Sequence, residues 1–186
     1  MSTERFRVVC EIEPPTRPNL AHARHQIGVL TPVADSFLIP DNHIGRATVS
    51  SIAVANEVQA MGGQSIACVN SRDRNLLGFR RDLLTAAAYG VDRFLFVHGD
   101  KPTAGDRTSE LTVRAMIEEA RGATGQPSFA GVAPFHIGVT ASHHHAVSQP
   151  GSRMPTSSSF RSATPSRRSC AGVSRTRQSC LSMSES

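Results

Sequence analysis

Four apolar segments in the first hundred residues each run into a polar residue at nearly constant spacing, at Glu11, Asp41, Ser71 and Asp100, with intervals of 30, 30 and 29 by subtraction. That is the rhythm of a repeated strand-then-helix unit. In folds built this way the residues at the carboxyl ends of parallel strands share one rim, where ligands bind and chemistry is done. The period ends soon after Thr140.

Local patterns fill in the units. A first strand is expected over Phe6 to Glu13, rich in Val and Ile and stopped by Pro14-Pro15, which cannot continue a hydrogen-bonded ladder. A helix from Pro18 to Leu30 places Leu20, Ala23, Ile27 and Leu30 on one face. Strand two is Ser36 to Ile39. A second helix runs from Ala47 to Met61, with Val49, Ile52, Ala53 and Met61 on one side and Gly62-Gly63 as its stop. Strand three covers Ser65 to Val69. The third helix starts at Asn75, carries Leu76, Leu77, Leu83, Leu84 and Ala87, and ends at Gly90. Arg93 to Val97 is almost continuously apolar, as in a strand buried on both faces. A fourth helix, Ser109 to Arg121, turns Leu111, Met116, Ile117 and Ala120 inward, and Phe135 to Thr140 makes a fifth strand. Five strands alternating with four helices predict an α/β fold with right-handed crossovers and a parallel sheet.

Composition divides the chain at about residue 140. Residues 1–140 hold 14 Lys and Arg against 14 Asp and Glu, so the net charge of +5 comes from residues 141–186, with six Arg and the single acid Glu185. The neutral body implies no polyanionic partner. Residues 141–186 also hold 14 Ser and the cluster His143-His144-His145, show neither helical nor strand periodicity, and are expected to be a disordered tail. Their Arg-Ser pairs, such as Ser166-Arg167-Arg168-Ser169, are also the vocabulary of a nucleic-acid-binding arm. Cys10 and Cys68 fall in apolar strand-like runs, while Cys170 and Cys180 lack zinc-ligand spacing, so no metal site is expected. Reduced cysteines, no apolar signal core and no membrane-length apolar window predict a cytoplasmic protein with no membrane partner.

Several strand-end motifs carry a family resemblance. Glu11-Ile12-Glu13-Pro14-Pro15, Pro40-Asp41-Asn42, Ser71-Arg72-Asp73-Arg74-Asn75 and His98-Gly99-Asp100-Lys101-Pro102 occur in the order seen in the methylenetetrahydrofolate reductases, which this chain resembles over about residues 7–140. The resemblance implies the amino-terminal part of a (β/α)8 barrel that binds FAD, takes electrons from NADH or NADPH, and reduces 5,10-methylenetetrahydrofolate to 5-methyltetrahydrofolate. Glu11 matches the first residue of the family's Glu-x-x-Pro-Pro signature and would be the general acid. The folate's bridging methylene accepts a hydride only as an iminium ion, and ring opening needs a proton delivered to the departing nitrogen. A carboxyl group at a partly desolvated strand end can hold that proton near neutral pH.

Asp100 matches the Asp of the family's Gly-Asp pair, which lies against the pyrimidine end of the flavin and touches the folate. A fixed anion there opposes charge on the reduced flavin, and its carboxylate can accept hydrogen bonds from a pterin amine. Ile39, Asp41, Cys68, His98, Gly99 and Thr108 complete the implied flavin-binding set. Cys68 stands where relatives usually carry His, and His98 where they often carry Arg or Thr. Arg72-Asp73-Arg74-Asn75 also reads as an ion-paired, capped helix start. A family-like homo-oligomer is allowed.

After Phe135-His136-Ile137-Gly138-Val139-Thr140 the resemblance stops: three further strands and a folate-orienting Gln have no counterpart. An eight-stranded barrel cannot close with five strands. The expectation is that the tail is a truncation or the product of a shifted reading frame. Two other classes stay open: a non-catalytic folate- or flavin-binding half-barrel, and a nucleic-acid-binding protein acting through the Arg/Ser tail.

Overall fold

The computed structural model describes residues 6–140. They form one parallel sheet of five strands in sequence order, β1 (Val9–Glu11), β2 (Ser36–Ile39), β3 (Ser65–Asn70), β4 (Arg93–Val97) and β5 (His136–Val139). Four helices connect them, α1 (Ala21–Leu30), α2 (Ser51–Ala60), α3 (Leu76–Ala88) and α4 (Val113–Ala123). The α/β class, the five parallel strands and the four helices thus agree with the spacing of the sequence. The expected tail, its His cluster and its Arg-Ser pairs all fall on residues 141–186, outside the described residues.

A strand order that never reverses, joined by crossovers of one hand, stacks every helix on the same side of the sheet. Alternation along the strands agrees. Phe37 and Ile39 of β2, Ala67 and Val69 of β3, and Phe94 and Phe96 of β4 are buried with Ile27, Val54, Val58, Phe79, Leu83, Met116 and Ala120 of the helices in a single core. Phe96 packs edge-on against Phe79 at 5.5 Å between ring centroids and stacks on Phe94 at 5.6 Å. The alternate residues point to the other face, where Leu38, Ile66, Leu95 and Val97 are only half-buried and Cys68 alone is buried. This corrects the expectation that β4 is buried on both faces: no layer among the described residues covers the second one.

Element boundaries differ where local hydrogen bonds compete with helix or strand. β1 pairs with β2 only from Val9 to Glu11, and Phe6, expected inside it, is 81% exposed. α1 begins at Ala21 rather than Pro18, because Asn19 Oδ1 accepts the Ala21 N–H at 2.9 Å and Asn19 N–H turns back to the Arg17 carbonyl. α2 begins at Ser51 rather than Ala47. Thr48 N–H donates to Asn42 Oδ1 and Val49 N–H to the Pro15 carbonyl, so the backbone donors there serve the strand-end loops. α4 begins after Thr112, whose Oγ1 accepts the Ala115 N–H at 3.1 Å, and not at Ser109. Within α3, Phe79, Leu83 and Ala86 occupy the core, whereas Leu77 and Leu84 are 76% and 43% exposed. In α2 the buried positions include Val54, Ala55 and Val58, and Met61 lies out.

Candidate functional site

The carboxyl ends of β1 to β4 form one rim, on which Asp41, the second residue after β2, joins β2 to β3. Asp41 Oδ2 accepts from Asn70 N–H and from Asn70 Nδ2, each at 2.9 Å, and pairs with the Arg74 guanidinium. Arg74 also reaches Asp73 at 3.2 Å and Asp82 of α3 at 2.6 Å. Burial pushes the Asp41 carboxyl up to about 6 against the opposing pull of Arg74 and the Asn70 N–H, with Asp73 and Asp82 adding to the rise. The network lies where the sequence suggested an ion-paired, capped helix start, and Asn75 Oδ1 does cap α3 by accepting the Gly78 N–H at 2.8 Å.

The loops after β2 and β4 are tied to each other across the end of β3. Asp100 Oδ2 accepts the Ile44 N–H at 3.0 Å, and the Gly45 carbonyl accepts both the N–H and the hydroxyl of Thr103, at 2.8 and 2.9 Å. Asn42 and Ile44 both hold left-handed backbone, at φ 47° and 59°. For β-branched Ile44 this is an unfavourable conformation, held by the contacts around it. Gly45, at φ +69°, has no room for a side chain, because a Cβ would lie 1.9 Å from the Lys101 carbonyl oxygen. Gly99, at φ +84°, presses against Asn70 in the same way, 2.7 Å from Cβ to Cβ.

Ser71, fully buried, stands 3.2 Å from His98 Nδ1 through its hydroxyl. Burial lowers the His98 pKa, helped by the charges of Arg72 and Arg107. Arg72 Nε is buried with no hydrogen-bond partner. Thr108 lies in the loop ahead of α4, where its N–H donates to the Arg72 carbonyl at 2.7 Å and its hydroxyl to the Arg74 carbonyl at 2.8 Å, so it fastens the loop and does not start the helix.

Two of the residues expected at the flavin are enclosed. Ile39 is fully buried in the core, leaving only its main chain toward the rim, and Cys68 is 6% exposed. The Cys68 thiol is pushed up to about 12 by burial first, then by the charges of Asp41 and Glu11. Glu11 itself is exposed at the end of β1, on the uncovered face. Glu11 and Asp100 therefore stand on the same rim with β2 and β3 between their strands.

Asn70 is the residue that sequence reasoning missed. Its Nδ2 also donates to Asp73 at 2.8 Å, and its Oδ1 accepts the N–H groups of Arg72 and Asp73 at 3.0 and 3.3 Å. The available signal was a lone buried amide ending an apolar strand, since such a group must find partners. Among the described residues no group of His, Cys, Asp and Glu is arranged to hold a metal ion, and no helix is long and apolar enough to cross a membrane. No family model matches the chain, and no curated protein matches it.

Proposed function

We infer that this chain carries the first strands of a (β/α)8-type barrel that reduces 5,10-methylenetetrahydrofolate to 5-methyltetrahydrofolate through FAD, with NADH or NADPH as donor. The observation that carries the reading is a single rim of one parallel sheet bearing Glu11 at the end of β1, Asp41 after β2 and Asp100 after β4, beside a face that no layer of the described residues covers.

The residues present fit a flavin in two respects. Leu38, Ile66 and Leu95 on neighbouring strands, each half-buried on the uncovered face, offer an apolar wall to an aromatic ring. Arg72 Nε, an orphaned buried donor, would gain a partner from a phosphate oxygen, in surroundings made positive by Arg107. When bound, FAD supplies hydride transfer between the nicotinamide and the folate. Glu11 would deliver the proton to the departing folate nitrogen; it is exposed among the described residues, so the desolvation expected of this strand end would have to come from the bound ligands. Asp100, oriented by the Ile44 N–H, would accept a hydrogen bond from the pterin. Asp41 acts through Asn70 and Arg74, holding the end of β3 in place.

The test is to titrate the full chain with FAD, following quenching of flavin fluorescence, then add NADH or NADPH and watch the visible flavin band bleach. Binding, bleaching and turnover of methylenetetrahydrofolate support the reading. Binding without bleaching favours a non-catalytic flavin-binding protein, and no binding overturns both. Glu11→Gln should keep the flavin and lower turnover by about 100-fold or more, the scale of a lost general acid. Loss of flavin in that variant would show that the assigned role is wrong.

A further inference from the structure

One residue on the rim works against the fold in two ways. Ile44, in the loop between β2 and α2, holds φ 59° and ψ 24°, left-handed backbone in which a β-branched side chain crowds its own main chain. Its side chain is also 56% exposed, so little apolar burial offsets that strain. Gly or Asn would hold the same turn with less strain. Contacts on both sides impose the conformation. The Asn42 amide donates through Nδ2 to Asp73 and accepts the Thr48 N–H through Oδ1 at 3.1 Å. Across the rim, Thr103 donates twice to the Gly45 carbonyl, and Asp100 Oδ2 accepts the Ile44 N–H at 3.0 Å. The Ile44 Cβ is two bonds from that nitrogen, so an aliphatic side chain and a carboxylate stand side by side, carried as one unit by the tied loops. Asp100 Oδ1 accepts no hydrogen bond among the described residues.

We propose that Ile44 is a ligand-binding residue, its side chain packing on the face of a flat heteroaromatic ring whose edge N–H groups donate to Asp100. Backbone strain that surrounding contacts impose gathers at ligand sites, because the free protein carries the strain and the gain comes on binding. The ligand class follows from the two groups side by side. An aliphatic side chain next to a carboxylate suits a ring with an apolar face and an edge of donors, as in an aminopyrimidinone. A ring without donors would desolvate the Asp100 carboxylate and leave it unpaired. The assignment rests on the proposed function, in which Asp100 receives the pterin, and adds to it the residue that holds the face of the ring.

Two substitutions separate this role from a structural one. Ile44→Asn tolerates left-handed backbone and keeps the N–H for Asp100 but removes the apolar surface, whereas Ile44→Leu keeps apolar surface and removes the branch at Cβ. With the full chain and added FAD, calorimetry measures binding of 5-methyltetrahydrofolate, and urea titration measures stability. Ile44→Asn is expected to unfold at the same urea concentration as the natural chain or higher, yet to bind about tenfold more weakly, the scale of one lost aliphatic contact. Ile44→Leu is expected to be at least as stable as the natural chain and to bind within about threefold of it. Stability kept while affinity falls marks a binding residue, since a side chain that only packs within the fold loses both together. An Ile44→Asn chain that binds as tightly as the natural one overturns the proposal and leaves the role of Asp100 standing. So does an Ile44→Asn chain that is less stable or unfolded, which places the side chain inside the fold, or an Ile44→Leu chain that binds as weakly as Ile44→Asn. A natural chain that binds no 5-methyltetrahydrofolate up to about 1 mM overturns the proposal and the proposed function together.

Discussion

At the residue scale the rim is governed by a buried carboxylate and by two glycines that leave no space. Asp41 titrates in the folded state at about 6, above the ordinary carboxylate value, chiefly because burial disfavours its charge. An acid of that kind binds its proton more tightly when the chain is folded. Its contribution to stability is therefore full below about pH 4 and declines as the pH rises to about 6, beyond which it is flat. Urea melts of the natural chain and of Asp41→Asn from pH 4 to 7 should show the natural chain losing stability relative to the variant across that window. Parallel curves would place the Asp41 titration elsewhere.

Gly45→Ala adds a Cβ onto the Lys101 carbonyl oxygen in left-handed backbone, and a loss of about 2 kcal/mol or more in folding free energy is expected by denaturant titration. Sequence position alone placed Glu11, Asp41 and Asp100 at strand ends. It could not show that Asp41 is engaged by Asn70 and Arg74, because those partners lie 29 and 33 residues away and meet it only when β2 and β3 pair.

At the element scale, helical periodicity found each helix but not always the face it buries. Leu77 and Phe79 of α3 make the contrast. Both are large and apolar and two residues apart, yet Leu77 is 76% exposed and Phe79 is fully buried against Phe96. Phe79→Ala should cost about 3–5 kcal/mol of stability through the cavity it leaves, whereas Leu77→Ala should change it by less than about 0.5 kcal/mol. A similar cost for both, measured in thermal or urea unfolding, would mean that the face of α3 is assigned incorrectly. Two apolar residues two apart cannot share a helix face, and α3 carries enough apolar side chains for more than one stripe. Packing against β4 decided between them. The late starts of α1, α2 and α4 have a related cause: Asn19, Thr48, Val49 and Thr112 make hydrogen bonds that a helix beginning earlier would break.

At the scale of the whole molecule, the order of the strands predicts how the fold opens. β3 is the longest strand, with neighbours on both sides, and β4 is paired on both sides as well, while β1 and β5 each have one neighbour. Amide hydrogen exchange should be slowest in Val69 and Phe96 and markedly faster in β1 and β5. Equal protection across the sheet would indicate that the edges are covered in solution.

The α/β class, the five strands, their parallel direction and the rim that gathers Glu11, Asp41, Ser71 and Asp100 follow from the sequence itself, because a repeat of about thirty residues with alternating strand and helix patterns leaves few ways to bury its apolar residues. The uncovered face, the engagement of Asp41 and the central place of Asn70 were decided only by tertiary structure. Each depends on which residues of different strands come to lie side by side, and that register is set by long-range pairing and not by any local pattern.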